Sequence, residues 1–319
     1  MKLFLSMVTI IEVSFAFLLW IVFFNLLPDS LLWLSAFVPH IALCIVVLHL
    51  VSLSKRKVKF IWFALIYGPI IWLWVVSAPK PITQSSENTF TVLSLNVAQF
   101  GNDSARAETV IQELNRANAD VICLQEFGLY HKWPDTESVG AYFAKKLSRP
   151  HYYFDPHVGN IFGVAIFSRF PIVQSELLFE ESPATNQGVV FSLLREQDTI
   201  RVSNVQLASF EFTNDVHLLE HAAIKEDERR YQLSQLKAKS IGPRSVIVGD
   251  FNASPFHPEL LSLCADMTRA GSVLSPTFPK LAIVIDHQFY SEDIGLESVE
   301  LLRDFPSDHR AVLGHYSLL

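Results

Sequence analysis

Three long apolar runs open the chain, and a quite different pattern follows them. Leu3–Leu27 (25 residues, interrupted by Glu12), Leu31–Leu53 (23) and Phe60–Ala78 (19) stand almost free of charge. A helix needs about 20 residues to span ~30 Å of hydrocarbon, so the runs predict three transmembrane helices. Each is too long for the ~7–15-residue apolar region of a cleavable signal. Residues 79–89, PKPITQSSENT, are polar and hold two prolines, which reads as a linker. Fully extended, that linker reaches at most ~36 Å, so whatever follows stays near the membrane.

From residue 90 the pattern is short and alternating. Segments 91–97, 120–127, 163–168, 188–194, 200–207, 245–251, 283–290 and 311–317 are rich in β-branched and aromatic residues and are bounded by turn formers, so they predict strands. Ser104–Asn118 spaces Val110, Ile111 and Leu114 on one helical face with Ser104 as the expected N-cap, and Asp215–Ser240 is a longer helical stretch. Strands interleaved with helices predict an α/β or α+β sandwich. The expected organisation is therefore a membrane head at 1–78, a linker at 79–89 and one body at 90–319.

Charge sharpens the division. The first 80 residues carry six Lys or Arg against two Asp or Glu, net +4, and the rest carry 19 against 30, net −11. Four of the head's basic residues, Lys55, Arg56, Lys57 and Lys59, fall between the second and third runs, whereas the turn Pro28-Asp29-Ser30 has none. The positive-inside rule places the basic loop in the cytoplasm and the body outside it, as in a bacterial inner-membrane protein. Glu12, His40 and His49 lie within the runs and read as interfacial or helix-bonding groups. Disorder is excluded by 12% aromatic residues. A disulfide scaffold is excluded by three widely spaced cysteines, of which Cys123 and Cys264 read as core residues.

The chemistry sits where apolar runs end. Asn96 ends LSLN, Glu126 follows VICLQ, and VIVGDFN sets Asp250 and Asn252 two apart, on one side of an extended chain. Asp286 lies within IVIDHQFY, and Asp308 and His309 precede the last strand. Oxygen donors of this kind suit Mg²⁺, with Mn²⁺ or Ca²⁺ as alternatives, and not Zn²⁺. Carboxylates beside a histidine are what metal-assisted attack of water on phosphorus requires.

In the order LNV, CLQE, FGVAIFSRFPI, GDFNASP, IDH and SDH, residues 90–319 resemble the endonuclease/exonuclease/phosphatase superfamily of deoxyribonuclease-I-like proteins. Three spans before such a domain resemble its membrane-attached bacterial members. The resemblance implies a four-layered α/β/β/α sandwich behind a three-helix transmembrane segment. It implies Mg²⁺ held by Glu126 with Asn96 and Asp308 beside it. Asp250 would activate the attacking water, Asn252 would hold a phosphate oxygen, and His309, oriented by Asp286, would contact the scissile phosphate. One position departs: where the family strand usually reads N-x-H-L, this chain reads NVQL, with Gln206. Glutamine donates a hydrogen bond but carries neither charge nor a transferable proton. His217 and His221, on the following helical stretch, read as helix-surface residues.

The expected function is thus a membrane-anchored phosphoesterase whose partners are the lipid bilayer and a phosphate-ester substrate. A net −11 body without a basic run is poorly suited to nucleic acid, whose binding rests on neutralising phosphates. A metal-dependent nuclease and a catalytically weakened binding module, the latter suggested by Gln206, are the alternatives. Arg229-Arg230 reads as an exposed helix face.

Overall fold

The computed structural model describes residues 2–24, 26–53, 68, 88–128, 136–158, 162–180, 187–209 and 218–319. Helix α1 (Lys2–Phe23) and helix α2 (Val38–Leu53) form an antiparallel pair joined by a 3₁₀ segment, Asp29–Phe37. The second apolar run is thus not one α-helix. Pro39 lies just inside α2 and has no N–H to continue an α-helical ladder backwards, so the α-helix starts there. Among the described residues one helical stretch, Asp29–Leu48, is long and apolar enough to cross a membrane, with mean hydropathy 2.4; Ile10–Phe23 is a shorter apolar stretch. The expected third span, Phe60–Ala78, lies outside the described residues except for Gly68, as do the basic loop and nearly all of the linker.

The body is built on two six-stranded mixed sheets. The strands are β1 (Thr89–Asn96), β2 (Val121–Phe127), β3 (His151–Val158), β4 (Phe162–Ser168), β5 (Ile172–Leu177), β6 (Gly188–Arg195), β7 (Asp198–Gln206), β8 (Ser245–Asp250), β9 (Thr268–Ala270), β10 (Asp286–Tyr290), β11 (Ile294–Leu302) and β12 (Ala311–Leu318). One sheet runs β11-β12-β1-β2-β4-β3 and the other β5-β6-β7-β8-β10-β9. Each has one parallel pair at its heart, β1 with β2 and β7 with β8.

Period-two alternation sends side chains of each strand into two different cores. On β1, Phe90 and Val92 join the layer between the sheets with Val202, Val246 and Tyr316. Leu93 and Leu95 face outward and are covered by α3 (Ser104–Ala117) and α4 (Thr136–Lys146), where Phe100, Phe127, Phe143 and Phe167 pack edge to face or stacked. On the far side, Val205, Ile247 and Phe289 are covered by Leu233 and Leu236 of α5 (Leu218–Ser240) and by Leu260 of α6 (Pro258–Leu263). The result is helix, sheet, sheet, helix. The cap of α3 differs from expectation: Asp103, not Ser104, accepts the Ala105 N–H at 2.8 Å, and Asn118 closes the helix in the left-handed region at φ 54°. Asp286 opens β10 instead of lying inside it, because residues 283–285 leave the ladder for the isolated Phe278–Ile283 bridge. Cys264 is exposed, not in the core.

The head does not hang free of the body. Ala16, Leu19 and Val22 of α1 and Val38, Ala42 and Ile45 of α2 share one buried cluster with Phe256 and Val273 of the body. Ser35 and Ser254 share a buried hydrogen bond of 2.8 Å. Arg230 reaches Asp29 at 2.9 Å across the same junction.

Gly249 is demanded by close backbone approach. Its φ is +148°, and a Cβ there would lie 1.9 Å from the Val205 carbonyl oxygen of the neighbouring strand. Backbone cannot yield as a side chain does, so Gly249→Ala should cost about 3 kcal/mol or more. Chemical denaturation of the full chain in detergent would check this, with a loss below about 1 kcal/mol refuting the geometry.

Candidate active site

Asn96, Glu126, Gln206, Asp250 and Asp286 are polar groups at or next to the end of a strand, so burying the strand carries each to the sheet edge. In register, Asn96 lies opposite Gln125 on the β1–β2 pair, while Gln206 and Asp286 both lie opposite Asp250 on the strands flanking β8. Asn96 and Glu126 come from one sheet, and Gln206, Asp250 and Asp286 from the other. His309 arrives on the loop before β12, which Ser307 ties down by donating to the Asn96 carbonyl at 2.7 Å.

Two of these residues leave ordinary backbone space. Glu126 has φ 49° and Asn252 φ 48°. Glu126 sits in a bulge where the pairing of β2 with β4 slips between Leu124 and Phe127, which re-aims its side chain. Asparagine tolerates the left-handed region through its short polar side chain. Glutamate does not, and strain of this kind clusters at functional sites.

Three hydrogen bonds draw this cluster together, and two of them cross between the sheets. Asn96 Nδ2 donates to Asp250 Oδ2 at 3.0 Å and also to Glu126 Oε1 at 3.1 Å. Gln206 Nε2 donates to the same Glu126 oxygen at 2.8 Å. His309 Nδ1 meets Asp286 at 3.0 Å, so Nδ1 carries the proton and Nε2 faces away from the carboxylate. Thr277, which nothing in the sequence singled out, accepts the Asp286 N–H at 3.0 Å and fixes the start of β10. The phenyl ring of Phe278 stands 5.0 Å from the imidazole and holds its plane.

Asp250, Asp286 and His309 are all buried, with potential ligand atoms within 4.8 Å of one another. Two of the expected residues point elsewhere. Asp308 pairs with Lys280 at 3.1 Å, and the Asn252 amide donates to the Leu207 carbonyl at 2.9 Å. His221 sits on α5, half-buried, with no hydrogen bond to this cluster, and His217 lies outside the described residues.

Burial and charge work against each other here. Burial alone would depress the His309 pKa, yet the adjoining Asp286 carboxylate overrides it and holds the imidazolium up to about 10. Burial pushes Asp250 up to about 7; the His309 cation opposes this and Asp286 reinforces it. The cluster therefore holds a cationic imidazole beside a carboxyl that titrates near neutrality.

A second buried group lies behind it. Arg229, read from sequence as an exposed helix face, is buried, because α5 turns it inward onto Glu226. Its Nη2 donates to the Ala208 carbonyl at 2.8 Å, and Glu226 also meets His257 at 3.0 Å. These contacts pin the segment after β7 against which Asn252 rests. A dipeptide of arginines carries no signal of which one faces inward; the helical phase set by Leu233 and Leu236 does.

The model of the Endonuclease/Exonuclease/phosphatase family matches residues 93–309. No curated protein matches the chain. Among solved structures, an endonuclease/exonuclease/phosphatase from Beutenbergia cavernae is 19% identical with TM-score 0.51, covering 73% of this chain and 72% of that one. The human Nocturnin catalytic domain with bound sulfate is 18% identical with TM-score 0.54, covering 72% and 95%. ANGEL2, a 2',3'-cyclic phosphatase, is 17% identical with TM-score 0.50, covering 72% and 95%. At these identities the likeness is one of fold.

In chelator-treated protein, His309 should be protonated at pH 8 and Asp286→Asn should leave it neutral there. Imidazole chemical shifts, assigned by difference against His309→Asn, would check this. The folded pKa lies above the unfolded value, so this contribution to stability is complete below about pH 6.5. It is lost as pH rises through about 10. A His309 already neutral at pH 8 in the wild-type chain would contradict the assignment.

Proposed function

The chain belongs to the endonuclease/exonuclease/phosphatase family, and on that footing we propose that it is a membrane-anchored, Mg²⁺-dependent phosphoesterase with an extracytoplasmic active site. The observation that carries this reading is the cross-sheet convergence of Asn96, Glu126, Asp250, Asp286 and His309 on one edge. A hydrolase is what the family as a whole supports. Substrate, metal and topology are ours.

The donor set fits a hard divalent cation, Mg²⁺ or Mn²⁺. Both amides that approach Glu126 fall on Oε1, which leaves Oε2 for an ion; the Asn96 amide oxygen accepts the Ala98 N–H at 2.9 Å and would join the ion only by turning its amide. Asp308, presently paired with Lys280, would have to exchange that partner to join them. A bound ion of this type supplies Lewis-acid neutralisation of phosphate charge. The protein's own groups do the rest. Asp250, with a pKa near neutrality, orients the attacking water and accepts its proton. The His309 cation, its Nε2 turned from Asp286, stabilises charge growing on the phosphoryl oxygens. Asn252 has a second amide hydrogen for a phosphate oxygen. Gln206 serves through Glu126, which it holds by 2.8 Å, and not as an acid. The missing acid costs typically ~10²–10⁴ in rate, so a slow enzyme is expected.

A lipid or small-molecule phosphate ester is favoured over nucleic acid by the body's net −11. The membrane topology draws support from the head. Its inter-helix tip, Asp29–Phe37, rests on the body, so tip and body share one side. If α1 and α2 both cross, the chain must cross again between Leu53 and Thr89, and the apolar run Phe60–Ala78 is the segment able to do so.

The full chain in detergent should hydrolyse bis(4-nitrophenyl) phosphate with Mg²⁺ or Mn²⁺, lose turnover in chelator, and lose at least about 10²-fold in Asp250→Ala. Turnover indifferent to chelator would remove the metal. Absence of both turnover and Mg²⁺ binding by calorimetry would remove the enzyme and leave a binding module. A carboxy-terminal alkaline phosphatase fusion should be active in bacterial cells, and an inactive, stably made fusion would reverse the topology.

A further inference from the structure

A cavity of about 260 Å³ lies between the head and the catalytic edge. Leu32, Ala36 and Phe37 of the 3₁₀ tip of the head line it together with Phe278, Leu281 and Ile283 of the body. Asn252 and His309 also line it.

Most of the remaining polar groups of the lining already have partners. Ser35 and Ser254 are hydrogen bonded at 2.8 Å. Arg229 and His257 both pair with Glu226, although the buried Arg229 Nε has no hydrogen-bond partner. That leaves a mainly apolar cavity whose lining includes Asn252 and His309 of the candidate site. A sugar or nucleotide base gains little from the apolar walls, because a polar group moved there from water forfeits its hydrogen bonds. A hydrocarbon chain gains from the whole length. Ile10, Phe17, Leu43 and Val47 of the helix pair, and Leu274 and the cavity-lining Leu281 of the body, are exposed apolar side chains of a kind suited to a bilayer.

We propose that this cavity binds the hydrocarbon portion of an amphiphilic phosphate ester drawn from the membrane, with its phosphate at His309 and Asn252. The head is then one wall of the active site as well as an anchor. The assignment rests on the phosphoesterase reading above and names its substrate class.

The test uses the full chain in lipid nanodiscs and a series of alkyl 4-nitrophenyl phosphodiesters, methyl to hexyl, which keep the leaving group constant. In the wild-type chain kcat/KM should climb with chain length, approaching about fourfold per methylene if each is fully buried. Ala36→Trp, which fills the cavity, should flatten that slope to under about twofold per methylene. Leu281→Asp, at an exposed position that tolerates charge for folding, should flatten it as well. Partition into the bilayer is the same for every variant, so the difference in slope reports the cavity alone. Metal-dependent turnover with no slope, or with one unchanged in both variants, overturns the hydrocarbon assignment and leaves the phosphoesterase standing. If no ester is cleaved and calorimetry also finds no Mg²⁺ binding, the phosphoesterase reading fails. Calorimetric titration with the matching alkyl phosphates then decides the cavity: a Kd that falls with chain length in the wild-type chain but not in Ala36→Trp supports it, and equal slopes overturn it.

Discussion

The site depends on the two sheets keeping one register relative to each other, and buried side-chain amides set that register. Apolar packing between sheets is non-directional and would tolerate sliding. Asn204, wholly buried between the layers, donates to the Leu124 and Ala165 carbonyls of the opposite sheet at 3.0 and 2.9 Å. Gln125 donates back to Asn204 at 2.6 Å. At the other flank Gln288 reaches across to the Val92 and Val312 carbonyls, and Tyr316 donates to Gln288 at 2.6 Å. A slip of the sheets would orphan these groups at roughly 1–3 kcal/mol each. Glu126 follows Gln125 directly, and Gln206 lies two residues after Asn204. The amides that lock the sheets are therefore neighbours in sequence of the residues that meet at the site.

With that frame fixed, local strain becomes sustainable. The left-handed Glu126 and the close backbone contact at Gly249 are costly in isolation, but each lies in a strand held by partners on both sides. The bulge at Glu126 and the turn at Asn252 both serve to take a side chain out of strict alternation and point it along the sheet edge. The same logic accounts for the electrostatics. Asp286, which keeps His309 charged, has its backbone held both by Thr277 and by pairing with Asp250 on β8.

How much of this was legible in the sequence follows from the same physics. All eight expected strands exist. The four that were not expected, β3, β5, β9 and β11, are the four edges of the two sheets. An edge strand packs fewer neighbours, carries more polar side chains, and can accept a proline such as Pro156 in β3, so its apolar signal is weak. The site residues stood out because each is a polar group closing or breaking an apolar run, where burial of the run must deliver it to a sheet edge. Their partners did not: Thr277, Gln125 and Gln288 look like ordinary strand or loop residues until the other sheet is in place. The seating of the head on the body was equally invisible. It is a relation between segments more than 100 residues apart, with no periodicity to announce it.

That seating changes what the apolar head does. In the proposed membrane setting the acidic body would be repelled by anionic headgroups, by about 1 kcal/mol for each charge held within a Debye length of ~8 Å. The Asp29–Arg230 pair cannot hold the two together, since both side chains are over 40% exposed and such pairs contribute at most about 1 kcal/mol. Phe256 and Val273, buried in the cluster with α1 and α2, are each worth about 1.5–3 kcal/mol, and the Ser35–Ser254 bond adds direction. Ser254 lies two residues from Asn252. The contact that holds the body to the head is thus made by the loop that carries Asn252, so the seating of the head and the shape of the candidate site are set by a single interface.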